Sequence, residues 1–281
     1  MKAAEASVPM TRPVPKSGET IPVIGLGTWK VFDVGPGAGE RAAVRGVLEG
    51  FAAAGGRVVD SSPMYGRAEA VVGALVAELG LRDRLFLASK VWTTGHVAGV
   101  EQVASSLERM GLGRMDLMQV HNLVDVKTQL ATLRKLKSAG RVRYVGVSHW
   151  TASAHAELEN TLRDEELDFV QLNYSIVERD AEARLLPLAL SRKVAVLVNR
   201  PFAQGGLFEK VKGKPLPAWA ADFDAATWGQ FFLKFVVSHP AVTCAIPATA
   251  KVEHLRDNMA AGVGRLPDQA TRERMAALFR G

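Results

Sequence analysis

The sequence predicts an α/β chain folded as a (β/α)8 TIM barrel with a short N-terminal β-hairpin cap. Three observations lead there. Eight short, β-branched apolar runs alternate with longer amphipathic segments, the pattern of repeated βαβ units and a parallel sheet. Polar residues recur at the same end of several of those runs. The length, 281 residues, suits one barrel domain spanning 1–281, because eight right-handed crossovers bring the last strand beside the first. A doubly wound open sheet is the alternative topology, but the chain has neither a GxGxxG nor a GxxxxGK[ST] phosphate loop to support it.

The first element is a hairpin at 9–22, where Pro13, Pro15 and the Ser17-Gly18 turn signal cap one end of the barrel. The eight strands follow at Val23–Leu26, Gly56–Asp60, Leu85–Lys90, Met115–Val120, Val142–Val147, Phe169–Leu172, Val194–Val198 and Val242–Ile246. Helical periodicity fills the intervals at 38–54, 67–80, 97–111, 126–139, 151–163, 179–192, 224–238 and 251–260, with a last helix near 267–280. The segment 200–221, rich in Gly and Pro, is the longest irregular stretch and reads as a cofactor or lid loop.

Composition narrows the function. Hydrophobic residues make up 48% and charged residues 23%, which fits a folded globular domain rather than a disordered chain. The formal charge of +6 is spread along the chain without a basic tract, so no nucleic-acid partner is expected, and the mild positive field suits a phosphate-rich cofactor. Met1 to Ser17 carries charges and prolines but no apolar signal segment, and no window approaches 18 apolar residues, so a soluble, cytoplasmic protein without a membrane partner is expected. The lone Cys244, in an apolar run, excludes an intrachain disulfide and reads as buried strand packing. No sustained heptad pattern argues for an oligomer, so a monomer is expected.

In a barrel of this kind reactive groups gather at the C-terminal ends of the strands. Asp60, Lys90, His121, Ser148-His149 and Gln171-Asn173 all fall there, on five different strands. Each one alone reads first as a helix cap or a packed polar residue; a Lys and a His just inside apolar runs at a common mouth do not. Lys90 ends the run Leu-Phe-Leu-Ala-Ser, where a buried ammonium needs an anion, and Asp60 is one strand away. Tyr65, in the following loop, reaches back over the mouth. An adjacent ammonium lowers a phenol from its usual value near 10, and His121 can orient a carbonyl oxygen or share the proton.

At these residues the chain resembles the aldo-keto reductase family, from about Ile21 to Asn258. The resemblance is carried by Gly25-Leu-Gly-Thr-Trp29, Val59-Asp-Ser-Ser-Pro-Met-Tyr-Gly66 with Glu69, Ser89-Lys90, Val120-His121, Gly146-Val-Ser148, Gln171-Leu-Asn-Tyr174 and Ile246-Pro-Ala-Thr249. It implies reduction of aldehydes or ketones by hydride transfer, with Tyr65 as general acid, Lys90 as the cation beside it, Asp60 as the partner of Lys90 and His121 orienting the carbonyl. It implies NADP(H) as cofactor, with NAD(H) possible as the alternative. Ser148 and Gln171 fall at the nicotinamide carboxamide, Thr28 and Trp29 near the same ring, and Arg200, Phe202 and Gln204 over the pyrophosphate. Thr249 falls at the adenosine phosphate, and Asn258 meets the adenine.

Three departures from the family pattern stand out. His149 occupies a common Asn position at the carboxamide, and Asn199 the position of a Tyr that stacks on the nicotinamide. At the 2′-phosphate, Ala248 replaces a Lys and His254 a frequent Arg, leaving Lys251 and Arg256 as nearby sources of charge. Trp29, Met64, Trp92 and Trp150 are expected to form an apolar pocket for a small-molecule carbonyl substrate. A non-catalytic or slow NADP(H)-binding redox-sensing subunit is the alternative function. A metal-dependent hydrolase ranks last, since His121 and His149 lack a paired-ligand motif, and no metal is expected.

Overall fold

The computed structural model describes residues 8–280. The ends of the expected 1–281 domain, and the first part of the Met1–Ser17 segment, lie outside the described residues. A two-stranded antiparallel hairpin, β1 (Thr11–Pro13) and β2 (Thr20–Pro22), precedes eight parallel strands. These are β3 (Leu26–Gly27), β4 (Val58–Asp60), β5 (Phe86–Val91), β6 (Met115–His121), β7 (Val142–Ser148), β8 (Phe169–Asn173), β9 (Ala195–Asn199) and β10 (Cys244–Ala245), each paired with the next in sequence.

The ring closes between its first and last strands through parallel bridges Ile24–Ala245 and Gly27–Ala248. Gly25 and Gly27 permit that approach: a Cβ on Gly25 would stand 3.1 Å from both Cys244 Sγ and Ile246 Cγ2, and one on Gly27 2.8 Å from the Ile246 carbonyl oxygen. The first strand is shorter than the sequence predicts. Val23–Leu26 was the expected span, yet regular pairing to β4 covers only Leu26–Gly27, because the chain bends here between two neighbours.

Ten α-helices surround the strands: α1 (Ala38–Ala53), α2 (Ala68–Glu78), α3 (His96–Arg109), α4 (Val126–Ser138), α5 (His155–Asp164), α6 (Leu185–Ser191), α7 (Gly206–Val211), α8 (Trp228–Val237), α9 (Val252–Ala260) and α10 (Gln269–Ala277) among the described residues. Helix α1 shows the logic, turning Val44, Val47, Leu48 and Phe51 inward at the spacing of one helical face. Side-chain caps set two starts. Thr227 accepts a hydrogen bond from the Gln230 amide and begins α8 later than 224, while Asp268 accepts from Thr271 and begins α10.

The 200–221 segment is the clearest correction. It is not irregular: it holds 3-10 turns at Ala203–Gly205 and Ala218–Phe223, the latter running two residues past its end, and the helix α7. Leu207 and Val211, four residues apart, are buried beneath α7, and Phe208 packs on Phe202 with ring centroids 4.9 Å apart. One apolar turn inside a Gly-rich stretch is too short a period to stand out. The expected helices at 151–163 and 179–192 likewise open as 3-10 turns, at Ala152–Ala154 and Asp180–Glu182.

Inside the barrel, Val58, Phe86, Ala88, Leu117, Tyr144, Phe169, Ala195, Leu197 and Cys244 form one apolar cluster, closed below by Val14 and Ile21 of the hairpin. Phe86, Tyr144 and Phe169 pack mutually at 5.5 to 5.8 Å. Glu19, in the hairpin turn, is held by Arg143 at 2.7 Å and accepts from the Tyr144 hydroxyl at 2.8 Å, which pins the cap to the strand bases. With that end plugged, a ligand reaches the barrel only from the C-terminal mouth.

Candidate active site

Going up each strand, the inward face changes from apolar to polar. On β6 it reads Leu117, Gln119, His121; on β7 Tyr144, Gly146, Ser148; on β8 Phe169, Gln171. Register then sets neighbours: Lys90 pairs with Gln119, His121 with Ser148, and Ser148 with Gln171. Sequence period and register alone thus assemble a polar layer over the apolar plug.

At the centre, fully buried Lys90 donates from Nζ to Asp60 Oδ2 at 2.6 Å and to the Ser61 carbonyl at 2.7 Å. Gln119 and Gln171 donate to Asp60 Oδ1 at 3.1 and 2.9 Å, so both carboxylate oxygens are engaged. Lys90 Nζ lies 5.0 Å from the centroid of the Tyr65 ring. Burial pulls the Lys90 ammonium down, but Asp60 and Tyr65 outweigh it and hold the group above its usual value.

Tyr65 departs from the sequence expectation. Burial pushes its phenol up more than Lys90 pulls it down, and the Asp60 charge adds to the rise. The net effect is a phenol that keeps its proton throughout the neutral range. His121 meets Tyr65 edge-on, with ring centroids 6.1 Å apart, and its Nδ1 lies 3.1 Å from Ser62 Oγ. Burial, Lys90 and His149 lower its pKa to about 3, so the imidazole is neutral.

His239, remote from the mouth, is lowered by burial and Arg272 to about 4. Both rings therefore bind protons less readily folded than unfolded, where the value is about 6.5. The unfolded state takes up more protons between those limits, so stability is complete above about pH 6.5 and declines as pH falls through that window. Denaturant unfolding at a series of pH values should show this loss, and His239→Gln should flatten it. An unchanged pH slope in the variant would remove His239 from the account.

Around this centre opens a cavity of about 700 Å³. Sixteen of the singled-out residues line it: Thr28, Trp29, Asp60, Met64, Tyr65, Trp92, His121, Ser148, His149, Trp150, Gln171, Asn199, Arg200, Phe202, Gln204 and Ala248. Lys90 lies beneath it, reaching it through Tyr65. Thr249, His254 and Asn258 do not line it; they sit beyond Ala248, in the turn before α9 and on that helix. Sequence reading missed Lys30, Asn122 and Phe208 in the wall, and Ser61, Ser62 and Gln119 behind it. Gln119 had a signal, two residues before His121 on the same strand face.

Several side chains are already committed. The Thr28 hydroxyl donates to the Asp60 carbonyl and reaches Ser61 Oγ, both at 3.0 Å, bracing the turn after β4. His149 Nδ1 accepts from the Trp150 and Thr151 amides at 3.0 and 3.2 Å. Those donors fix its tautomer, so Nε2 carries the hydrogen as a donor. Asn199 donates to the His149 carbonyl at 3.1 Å, and Arg200 donates to the Trp150 carbonyl at 2.9 Å and pairs with Glu178 at 3.0 Å.

Others are left over. Ser148 Oγ, Asn199 Oδ1 and Asn122 Oδ1 are buried without a hydrogen-bond partner, and all three residues line the cavity. Such orphans cost about 1–3 kcal/mol each and mark places where a ligand would bond. Seven of the nine non-glycine residues with left-handed φ among the described residues lie in the loops after β3, β6 and β9, at this mouth. Trp29, Met64, Trp92, Trp150 and Phe208 stand between 39% and 47% exposed along the rim, an apolar surface for a ligand to cover. Among the described residues no three His, Cys, Asp or Glu side chains are placed to hold a metal ion, and no helix is long and apolar enough to cross a membrane.

Comparisons with known proteins agree on one family. The model described as "Aldo/keto reductase family" matches residues 23–277. The methylglyoxal reductase YeaE of Escherichia coli is 30% identical over 251 residues, covering 86% of this chain and 85% of that protein. An NADH-specific methylglyoxal reductase of the same organism is 26% identical over 232 residues, covering 72% and 70%. A crystal structure of an aldo-keto reductase from Klebsiella pneumoniae in complex with NADPH superposes with a TM-score of 0.81 at 28% identity, covering 97% of this chain and 95% of that one.

Proposed function

Because this chain belongs to the aldo/keto reductase family, we propose that it reduces aldehydes or ketones to alcohols at the barrel mouth, with Tyr65 as general acid. The observation that supports this best is the stack of Asp60, Lys90 and Tyr65. A buried ion pair holds a cation under a phenol that faces the cavity and carries a proton at neutral pH. That proton is available to an oxygen on which negative charge develops. Neutral His121 donates a second hydrogen bond to the same oxygen and orients it.

The residues present fit a nicotinamide dinucleotide. The leftover Ser148 Oγ, Asn122 Oδ1 and Asn199 Oδ1, with the His149 Nε2–H, offer both acceptors and donors, as a carboxamide requires. When bound, the reduced cofactor supplies the hydride. Arg200, Phe202 and Gln204, on strained backbone or beside it, would hold the phosphates, and Gly205 leaves room for them. The exposed Trp29, Trp92, Trp150 and Met64 select an apolar or aromatic carbonyl compound and exclude water.

NADP(H) is the preferred cofactor and NAD(H) is accepted, consistent with the NADPH-bound structural relative and the NADH-specific sequence relative. With Ala248 at the loop, the 2′-phosphate charge would be met by Lys251, at the N-cap of α9, and Arg256, one turn further on, both exposed. Lys251→Ala with Arg256→Ala should weaken NADPH binding in a fluorescence titration and leave NADH binding unchanged. Equal weakening of both would place the phosphate elsewhere. The reaction itself is tested by following cofactor oxidation across a panel of aldehydes and ketones. An alcohol formed in equal amount supports the proposal, and bound cofactor with no oxidation overturns it.

A further inference from the structure

We propose that Ser62 is a positioning residue that fixes the tautomer of His121, so that its Nε2–H points a hydrogen-bond donor at the substrate oxygen. The proposal rests on the cavity being the carbonyl-reducing site argued above. Ser62 is fully buried in the loop between Asp60 and Tyr65. Its Oγ accepts a hydrogen bond from the Met64 amide at 3.3 Å and lies 3.1 Å from His121 Nδ1.

The direction of the second contact follows from hydrogen-bond satisfaction. A hydroxyl has one hydrogen to place, and a buried one needs an acceptor. Among the described residues, His121 Nδ1 is the acceptor within reach of the Ser62 hydroxyl. Were Nδ1 protonated, Oγ would accept from both Met64 and His121, and its own hydrogen would be stranded in the interior. With Nδ1 unprotonated, the Ser62 hydroxyl has an acceptor and the Nδ1 lone pair a donor. The ring's other nitrogen, Nε2, then carries the hydrogen; His121 lines the cavity, and among the described residues its side chain makes no hydrogen bond besides the one at Nδ1.

The loop geometry ties this brace to the general acid. The Ser62 carbonyl accepts from the Tyr65 amide at 3.0 Å, so one residue holds both the backbone of Tyr65 and the ring of His121. Replacing Ser62 with Ala removes the hydroxyl and leaves that backbone bond in place. The imidazole of His121 then loses the group that selects one of its two neutral forms, and the wrong form presents a bare nitrogen to the substrate oxygen.

Nitrogen-15 NMR of the full chain labelled at histidine reads the tautomer directly, with the His121 signals assigned by their absence in His121→Gln. The wild-type protein at neutral pH should show Nδ1 unprotonated and Nε2 protonated. Ser62→Ala should populate both neutral forms and lower kcat roughly tenfold, part of the 10²–10⁴ that a positioned proton donor supplies, with cofactor affinity unchanged. A wild-type His121 protonated at Nδ1, or a Ser62→Ala variant with unaltered tautomer and kcat, would overturn the assignment. Absence of turnover on any carbonyl would defeat the reductase reading alone, because the tautomer of His121 is read without substrate.

Discussion

Tyr65→Phe is expected to lower kcat for carbonyl reduction by about 10²–10⁴-fold and to leave the affinity for NADPH unchanged. The substitution deletes one oxygen from a side chain whose ring is already held, 5.0 Å over Lys90 and edge-on to His121. Packing survives and the proton source is lost. The wild-type pH profile carries the same signature. As burial raises the phenol above its usual value near 10, the rate of reduction should stay level through neutrality and fall only above about pH 10, where the acid is lost. Steady-state kinetics with a parallel binding titration checks both, and full activity in Tyr65→Phe would take the residue out of the role.

Lys90→Met is expected to destabilise the fold by about 3–5 kcal/mol, the usual consequence of leaving one member of a buried ion pair without its partner. Asp60 would keep its donors from Gln119 and Gln171 but lose the cation at 2.6 Å. The double variant Asp60→Asn with Lys90→Met removes both charges and should recover much of the loss, a non-additivity that unfolding in urea measures. A cost for Lys90→Met under about 1 kcal/mol, the range of an exposed pair, would show that the two charges are not coupled in the interior.

Much of this site was legible before any coordinates. The rule that reactive groups gather at the C-terminal ends of barrel strands put His121, Ser148 and Gln171 at one mouth, and the cost of burying an ammonium pointed from Lys90 to Asp60. What was not legible depends on distances the sequence does not encode. The net rise at Tyr65 is a contest between burial and a nearby cation, and only packing decides it. Ser62 carries no periodic signal, as its contact with His121 is made by a loop folding back across two strands. Helix α7 hid in glycine-rich sequence, and the apolar run Val23–Leu26 advertised a strand whose regular pairing with β4 covers only Leu26–Gly27.

If the cavity passes a hydride from a bound nicotinamide to a carbonyl carbon, a label on that hydride must appear in the product. A single-turnover experiment with excess protein, NADPH deuterated at its reducing position and an aromatic aldehyde tests it directly, with the product examined by mass spectrometry and NMR. The expected product is an alcohol bearing one deuterium on the carbon attached to the new hydroxyl, formed in step with oxidation of the cofactor. Cofactor that binds and stays reduced, with no label reaching any of a range of carbonyl compounds, would contradict that transfer.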